Sequence, residues 1–382
     1  MNTMTCSLCG GSTVSALQRA KLPAVQNRVY NSRHSAKAAP CGVLDICVCR
    51  KCGYAFNNAF NPTAVVYDKS YNNDVPSSIF LEYYGEIADY LHTKYLPHGG
   101  TVLDIGCGKG QFIDVMTRTF SDVRAVGIDP SCESLERERL TLISDTFPPA
   151  HSFPAPDLVV CRHTLEHIQN PVSFVRAISE SLATGTPVFV EVPDASWIVK
   201  NMAFWDWCYE HVNYFVPASG AMAMRAGGIE HVTHSTAFGG QYLWLEGVVA
   251  PKESADHGAT SAFPQELIEY STRETTEIEA MQRQLLGKKS SGCRVAVWGM
   301  ATKGIEFLEL VDASGTLVDY CIDINPHKQG KYTPLTARQI QSPEALVECN
   351  EPLLVVVMNP NYASEIRAQC ERMRLDVSFL LA

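Results

Sequence analysis

Short apolar runs alternate with amphipathic stretches through the middle of the chain. The apolar runs are rich in Val, Ile and Leu and are bounded by turn residues, which is typical of buried β-strands. These strands are predicted at residues 102–105, 123–128, 158–161 and 188–192. The amphipathic stretches are predicted helices at residues 78–95, 111–119 and 172–182. Strands that alternate with helices indicate a parallel sheet with helices on its faces.

The end of the chain repeats this alternation. Residues 230–235 and 241–249 are typical of an antiparallel pair that closes the first sheet. A charged stretch with helical periodicity, residues 264–288, predicts a connecting helix. A second, smaller α/β sheet is predicted from apolar runs at 294–298, 318–322 and 353–358.

Composition narrows the class of protein. The 382 residues allow two to three domains, and 46% hydrophobic with 19% charged residues is ordinary for a globular protein. A net charge of −10 argues against nucleic acid or an anionic membrane as a partner, and no apolar run is long enough to span a bilayer. With 14 cysteines and no signal peptide, we expect metal ligands and free thiols in the cytoplasm.

A glycine-rich turn follows the first predicted strand. From Asp104 to Gly110 the chain reads D-I-G-C-G-K-G, and the next strand ends at Asp129. Glycines let backbone amides approach a ligand closely, and an acid at the second strand end suits ribose hydroxyls. The spacing is G-x-G-x-G, whereas dinucleotide enzymes have G-x-G-x-x-G. The turn therefore predicts an adenosine-containing ligand and disfavours a dehydrogenase.

This turn resembles the first motif of class I methyltransferases that use S-adenosylmethionine. The resemblance implies that Asp104 and the Gly106–Gly110 turn hold the methionine end of the cofactor and that Asp129 holds the ribose. The cofactor-binding residues expected are Asp104, Gly106, Cys107, Gly108, Gly110, Asp129, Pro130, Asp145 and His163.

Two C-x-x-C-G knuckles lie near the N-terminus, at Cys6–Cys9 and Cys49–Cys52. Four thiolates from two such turns form a closed tetrahedral zinc site, which is structural because no coordination position is open. Cys47 lies on an apparent strand before the second knuckle and is expected to pack in the core.

Two stretches offer catalytic histidines. His163 and His167 follow the strand at 158–161, and strand ends at this edge face the ligand crevice. They are four residues apart, so both would face the site if a helix begins there. No third ligand with suitable spacing follows, so we do not predict a metal there. Further on, Glu210 and His211 form a carboxylate–histidine pair in an aromatic cluster. The pair is typical of a general base, although a histidine that only packs would give the same pattern.

Taken in order, the knuckles, the glycine turn, the Tyr-Glu-His segment and the distal Gly-Gly resemble the zinc-containing sugar C-methyltransferases of deoxysugar pathways. The resemblance covers essentially the whole chain. It implies a nucleotide-linked 4-keto sugar as acceptor, with His211 removing the C3 proton and the enolate taking the methyl. It also implies catalytic roles for Glu210, His167 and Tyr209. Substrate contacts are expected from Tyr67, Tyr71, Asn213, Lys303 and Lys328, the two lysines lying in a module that helps to bind the nucleotide.

The chain departs from that family at two places. The family reads Tyr-His-Glu-His where this chain reads Cys208, Tyr209, Glu210 and His211, and Leu335 replaces a family glycine. Both departures suggest an altered acceptor. The alternatives are O- or N-methylation of another small metabolite and a non-catalytic module that binds cofactor or nucleotide-sugar.

The predicted fold class is α/β with three units. A zinc-binding domain is expected over residues 1–60 and a Rossmann-like methyltransferase domain over 61–250. A helical connector over 251–290 then leads to a smaller Rossmann-like domain over 291–382 that binds the nucleotide-linked substrate. The oligomeric state is left open.

Overall fold

The computed structural model describes residues 5–66, 77–150, 152–251 and 260–382. The strands are β1 Thr13–Pro23, β2 Cys41–Cys49, β3 Ala55–Asn57, β4 Gly100–Ile105, β5 Val123–Ile128, β6 Leu135–Glu136, β7 Leu140–Ile143, β8 Leu158–Arg162, β9 Pro187–Pro193, β10 Asn213–Tyr214, β11 Ile229–Ala237, β12 Tyr242–Val249, β13 Arg294–Trp298, β14 Tyr320–Ile322, β15 Ile340–Gln341, β16 Leu353–Val357 and β17 Val377–Leu381. The helices are α1 Arg33–Lys37, α2 Ser78–Tyr95, α3 Gln111–Thr119, α4 Pro171–Glu180, α5 Ala195–Lys200, α6 Pro217–Ala226, α7 Phe263–Ser290, α8 Thr302–Val311 and α9 Ala363–Arg372.

The central sheet has the order β11-β12-β9-β8-β4-β5-β7-β6. Strands from β9 to β7 run parallel, and β12 with β11 closes one edge antiparallel, as the sequence predicts. Alternate residues of β4 face opposite sides: Val102 joins one buried apolar cluster and Leu103 the other. Both faces are therefore covered, as a parallel sheet requires, and the predicted α/β class is confirmed.

A second, wholly parallel sheet has the order β15-β14-β13-β16-β17. Its central strands β13 and β16 are buried except for Arg294 at the start of β13, and α7 carries the chain to this sheet. The predicted helix and strands of this part are present within a few residues of their predicted bounds. The carboxyl ends of β13 and β14 lead to Gly299 and Asp323, which places a glycine turn and an acid at one edge.

The N-terminal sheet is antiparallel, with the order β1-β2-β3-β10. Its last strand, β10, comes from the middle of the chain, and Asn213 and Tyr214 pair with Phe56 and Ala55. The segment that leads from α5 into α6 is therefore anchored to this sheet. A two-residue strand has no periodicity of its own, so the sequence does not reveal it.

Arg19 of β1 links the N-terminal sheet to α7, to α8 and to the segment between α5 and β10. Its guanidinium lies 2.5 Å from Glu274 Oε1 of α7 and 2.7 Å from Glu306 Oε1 of α8. It also donates to the backbone carbonyl of Phe204 at 2.7 Å. Arg19 is only 7% exposed, and Glu306 is fully buried. Burial raises the pKa of Glu306, and the positive charge of Arg19 lowers it. The effect of burial is the larger of the two, so the pKa of Glu306 is raised to about 7.

None of the helices within the described ranges combines the length and the apolar character needed to cross a membrane.

Candidate active site

A cavity of about 640 Å³ lies between the carboxyl ends of the central sheet and those of the C-terminal sheet. The glycine turn after β4 and Asp129 line one end, and Trp298 and Asp323 line the other. The predicted site residues that line it are Gly106, Gly108, Asp129, Pro130, Asp145, His163, His167, Glu210, His211, Lys303 and Lys328. The two sheet edges thus share one space.

The glycine turn has the left-handed backbone that its sequence predicts. Gly106 has a φ of 79° and Gly108 a φ of 56°. A Cβ on Gly106 would lie 2.0 Å from Thr164 Oγ1, so a side chain there would collide with the segment after β8. The Gly108 N–H donates to Asp129 Oδ2 at 3.0 Å, which fixes the acid at the cavity. The turn and the acid are therefore one unit.

Three predicted cofactor residues lie behind the cavity lining. Asp104 is 3% exposed, and its Oδ1 has no hydrogen-bond partner within the described residues. Burial raises the pKa of Asp104 to about 7. Cys107 Sγ packs against β5, since a Cβ on Gly127 would lie 2.6 Å from it. Gly110, with a φ of 83°, begins α3.

His163 is held in a strained backbone conformation between two acids. Its φ is 48°, which costs a residue other than glycine about 1–3 kcal/mol. Nε2 lies 3.0 Å from Glu191 Oε1, and Nδ1 lies 3.5 Å from Glu166 Oε1. Burial opposes protonation, but the two carboxylates outweigh it and raise the pKa of His163 to about 9. His163 is therefore a cation at neutral pH.

His167, His211 and Glu166 form a cluster in the middle of the cavity. One ring nitrogen of each histidine and one carboxylate oxygen of Glu166 all lie within 4.8 Å of one another. The two imidazole rings meet edge to face at 4.8 Å between centroids. Burial, and then the neighbouring His167, lower the pKa of His211 to about 3. His211 is therefore neutral at physiological pH and has a lone pair to accept a proton.

The cluster corrects two expectations. Residues 165–167 form a single 3₁₀ turn, so the α-helical spacing considered for His163 and His167 does not apply. The sequence also shows no third ligand near His163 and His167. The fold, however, brings His211, which lies 44 residues after His167, next to Glu166 and His167. These three donors have the chemistry of a divalent metal site as well as of proton transfer.

The residues beside His211 point to the N-terminal part of the chain. Glu210 Oε1 accepts from the backbone N–H of Gln26 at 3.1 Å. Tyr209, 1% exposed, accepts through its hydroxyl from the backbone N–H of Asn61 at 2.9 Å and does not line the cavity. The Tyr209 ring packs against the Phe60 ring, with 5.7 Å between the ring centroids, on the side of the N-terminal part of the chain. Cys208, at the position where the resembling enzymes have tyrosine, lines the cavity.

Asn213 also lies outside the cavity lining. Its Nδ2 donates to the backbone carbonyls of Leu165 at 3.0 Å and Ile168 at 2.6 Å, and its Oδ1 accepts from the Tyr54 hydroxyl. Its amide is occupied in holding the turn that carries Glu166 and His167. Among the other predicted substrate residues, Tyr67 and Tyr71 lie outside the described residues.

Two lysines approach the cavity from the C-terminal sheet. Lys303 Nζ lies 2.6 Å from Asp206 Oδ2, which joins α8 to the segment before His211. Lys328 Nζ donates to Asn27 Oδ1 at 2.6 Å. Burial lowers the pKa of Lys328, partly offset by Asp323. Both cations are thus fixed in place by neighbouring polar groups at the far end of the cavity.

Leu335 does not line the cavity, and its φ is 55°. Glycine adopts this backbone conformation without strain, so the family glycine at this position is explained by the turn. The Leu335 N–H donates to the Ala36 carbonyl at 2.9 Å. Leu335 therefore lies away from the cavity, and its link to the acceptor stays a prediction.

The four predicted zinc ligands, Cys6, Cys9, Cys49 and Cys52, come together. Cys6 Sγ lies 3.7 Å from Cys52 Sγ, and Cys9 Sγ lies 3.4 Å from Cys49 Sγ. A tetrahedral zinc with Zn–S bonds of about 2.3 Å holds its sulfurs about 3.8 Å apart. Backbone amides of Leu8 and Lys51 point at Cys6 and Cys49, each at 3.4 Å from the sulfur. The donor set fits zinc.

Sequence reasoning missed Glu166 as a site residue. The signal was present, because Glu166 immediately precedes His167 after a strand end. An acid in a polar turn is usually solvent-exposed, however, and only the packing of distant segments buries this one.

Comparison with known proteins agrees with this geometry. Residues 80–234 match the family model described as a methyltransferase domain, and residues 257–381 match the C-methyltransferase C-terminal domain. The C-methyltransferase NovU of Streptomyces niveus is 25% identical over 351 residues, which cover 85% of this chain and 81% of NovU.

Other similarities are restricted to the central part. A ubiquinone biosynthesis O-methyltransferase of Proteus mirabilis is 35% identical over 33% of this chain, and the chain spans half the length of that enzyme. Among solved structures, human N-acetylserotonin methyltransferase in complex with SAM has a TM-score of 0.34 at 13% identity. That match covers 40% of this chain and 48% of the human enzyme.

Proposed function

The chain belongs to the S-adenosylmethionine-dependent methyltransferases that carry a C-methyltransferase C-terminal domain, and we propose that it methylates a carbon atom of a nucleotide-linked 4-keto sugar. The observation that carries the proposal is the single cavity shared by two sheet edges. A cofactor site at one end and a nucleotide site at the other leave the reacting sugar between them, beside His167 and His211.

The residues present fit the cofactor. The glycine turn offers backbone amides without a Cβ, and Asp129 stands where ribose hydroxyls would bind. Asp104, buried with an oxygen that lacks a partner in the described chain, suits the positively charged methionine end. When bound, S-adenosylmethionine supplies an electrophilic methyl group on its sulfonium.

The other end of the cavity fits a nucleotide. Gly299 has a φ of 108° directly after β13, and Asp323 follows β14, so a glycine turn and an acid recur at this edge. Lys303 and Lys328 supply positive charge for a diphosphate. Both already contact protein oxygens, which keeps their ammonium groups in fixed positions before an acceptor arrives.

Carbon methylation requires a base, because a C–H beside a carbonyl is far less acidic than a hydroxyl. His211 is neutral and lies in the cavity, so its lone pair can take the proton from C3. The C–H electron pair would then stay on the acceptor as the enolate, the carbon nucleophile for the methyl group that bound S-adenosylmethionine would supply. His167 supports this step by holding the sugar oxygen. Fixing both reactants in one cavity supplies much of the rate acceleration.

The proposed zinc is structural and acts through β10. The cysteine knuckles pack against the methyltransferase core in one buried apolar cluster. Strand β3 of the N-terminal sheet pairs with β10, which begins two residues after His211. The zinc domain therefore supports the segment that carries the base. None of the 14 cysteines, all of them within the described residues, forms a disulfide, which suits a reducing compartment, and we propose that the protein acts in the cytoplasm.

Mass spectrometry of products tests the proposal. The purified protein would be incubated in heavy water with a panel of nucleotide-linked 4-keto sugars, with and without S-adenosylmethionine. We expect a methylated sugar with cofactor, and deuterium next to the ketone without it. His211→Ala is expected to lose nearly all of both. Methylation that survives in His211→Ala would instead favour transfer to oxygen or nitrogen, and no methylation of any sugar would rule out this acceptor class.

A further inference from the structure

Glu166 is a buried acid of the cavity to which the proposed reaction assigns no role. The residue is 1% exposed, and its Oε1 lies 3.5 Å from His163 Nδ1, but neither carboxylate oxygen makes a hydrogen bond within the part of the chain that the structure describes. A carboxylate can accept about four hydrogen bonds, and leaving this capacity unused in a buried site is costly. Such an acid indicates a proton donor that forms during the reaction.

The surroundings keep Glu166 ionised. Burial favours its neutral form, but the neighbouring His163, 3.5 Å away, and then His167 outweigh this and lower the pKa of Glu166. Glu191, the other acid beside His163, differs, because it accepts from Arg162 at 2.7 Å and from Tyr83. Of these two acids, Glu166 is therefore the one whose carboxylate oxygens can still accept a hydrogen bond.

His211 needs such a partner once it has taken a proton. Glu166 is the carboxylate that favours an imidazolium there, because one of its oxygens lies within 4.8 Å of a ring nitrogen of His211, whereas burial and the neighbouring His167 disfavour one. The described groups that face His211 are Glu166, His167, His163, Lys303 and the ring of Tyr214, with Glu210 as its chain neighbour.

We propose that Glu166 is a positioning residue for His211, orienting the imidazole and stabilising the imidazolium that forms as carbon is deprotonated. This inference rests on the proposed function. The proton passes from the acceptor carbon to a ring nitrogen of His211, the electron pair stays on the acceptor as the enolate, and Glu166 remains ionised throughout. The logic is that of a carboxylate that orients a catalytic histidine.

The backbone around the cluster is built to hold this arrangement. Asn213 donates to the carbonyls of Leu165 and Ile168, on either side of Glu166. His167 Nδ1 lies 3.0 Å from the Glu210 carbonyl, which precedes His211. Two links therefore fix the turn that carries the acid against the segment that carries the base.

Glu166→Gln tests the role, because it keeps size and removes charge. The measurements are deuterium exchange into the 4-keto sugar without cofactor, steady-state methyl transfer at pH 5–9, and calorimetric binding of S-adenosylmethionine. We expect exchange and kcat to fall about 100-fold, with the KM for sugar and the cofactor affinity within twofold of wild type. Glu166→Asp should recover part of the loss. Deuterium exchange at the wild-type rate in the Glu166→Gln variant would overturn the inference. So would a loss of exchange that is accompanied by a lower cofactor affinity and a lower melting temperature.

The wild-type protein and His211→Ala separate the two proposals. No exchange in wild type with any sugar would remove the proposed function, and the role of Glu166 with it. Exchange that needs His211 but is indifferent to Glu166 would remove only the role of Glu166.

A metal ion is the competing explanation for the same three side chains. We expect one zinc per chain by elemental analysis and exchange that is unaffected by a chelator. A second bound metal that is lost in Glu166→Gln, together with activity restored by added divalent cation, would make Glu166 a metal ligand and overturn the positioning role.

Discussion

The imidazole of His167 is joined to the backbone of Glu210: Nδ1 lies 3.0 Å from the Glu210 carbonyl oxygen. Because a carbonyl only accepts, Nδ1 carries the proton, and in the neutral ring Nε2 keeps its lone pair. The contact bridges the turn after β8 and the segment that precedes β10. It therefore sets both the tautomer of His167 and its distance from His211.

His167→Asn separates the backbone link made by Nδ1 from the chemical role of Nε2. The Asn amide nitrogen can replace Nδ1 as the donor to the Glu210 carbonyl, but nothing replaces Nε2. We expect kcat to fall roughly 10²-fold while the melting temperature stays close to wild type. His167→Ala, which loses the link as well, should also lower the melting temperature. Steady-state kinetics and thermal melting check this, and near-normal turnover in His167→Asn would contradict a role for Nε2.

Loss of the metal should disturb the segment that carries His211, because β3 of the zinc-binding part pairs with β10. Cys49→Ser removes a fully buried ligand, and we expect loss of zinc, a lower melting temperature and loss of most turnover. Cys41→Ser is the matched control, since Cys41 is exposed and lies outside the cluster. Full activity in a zinc-free Cys49→Ser protein would show that the N-terminal sheet does not support His211.

Removing the buried cation at the junction of the sheets should be costly. Arg19→Met leaves Glu274 and Glu306 buried without their partner, and breaking such a pair costs about 3–5 kcal/mol of unfolding free energy. Arg118→Ala is the control, because its pair with Asp114 is exposed and worth about 0.5 kcal/mol or less. Chemical denaturation measures both, and equal effects would contradict the junction role of Arg19.

Patterns that depend on neighbours in sequence were predictable, and contacts between distant segments were not. Helix α3 and strand β13 have the predicted bounds because their periodicity and turn residues lie within them. The cysteine cluster was predictable because zinc chemistry dictates residue type and spacing. The cluster of Glu166 with His211 was not, because it arises where a two-residue strand joins another sheet. Tyr209 likewise packs away from the cavity, which its position two residues before His211 does not reveal.

Cofactor binding should depend on pH through Asp104. Burial raises its pKa to about 7, well above the usual value for an aspartate, so at pH 6 most of the cofactor-free protein holds a proton there. A positively charged ligand favours the ionised carboxylate, and that proton must leave when the cofactor binds. The affinity for S-adenosylmethionine should therefore rise as pH increases toward 7 and level off above it. Well below pH 7 the expected change is about tenfold per pH unit.

Calorimetric titrations from pH 5.5 to 8.5 measure this pH dependence. The Asp104→Asn variant should bind S-adenosylmethionine more weakly, with an affinity that does not change with pH. A wild-type affinity that is constant across this range would show that Asp104 stays in one protonation state when the cofactor binds.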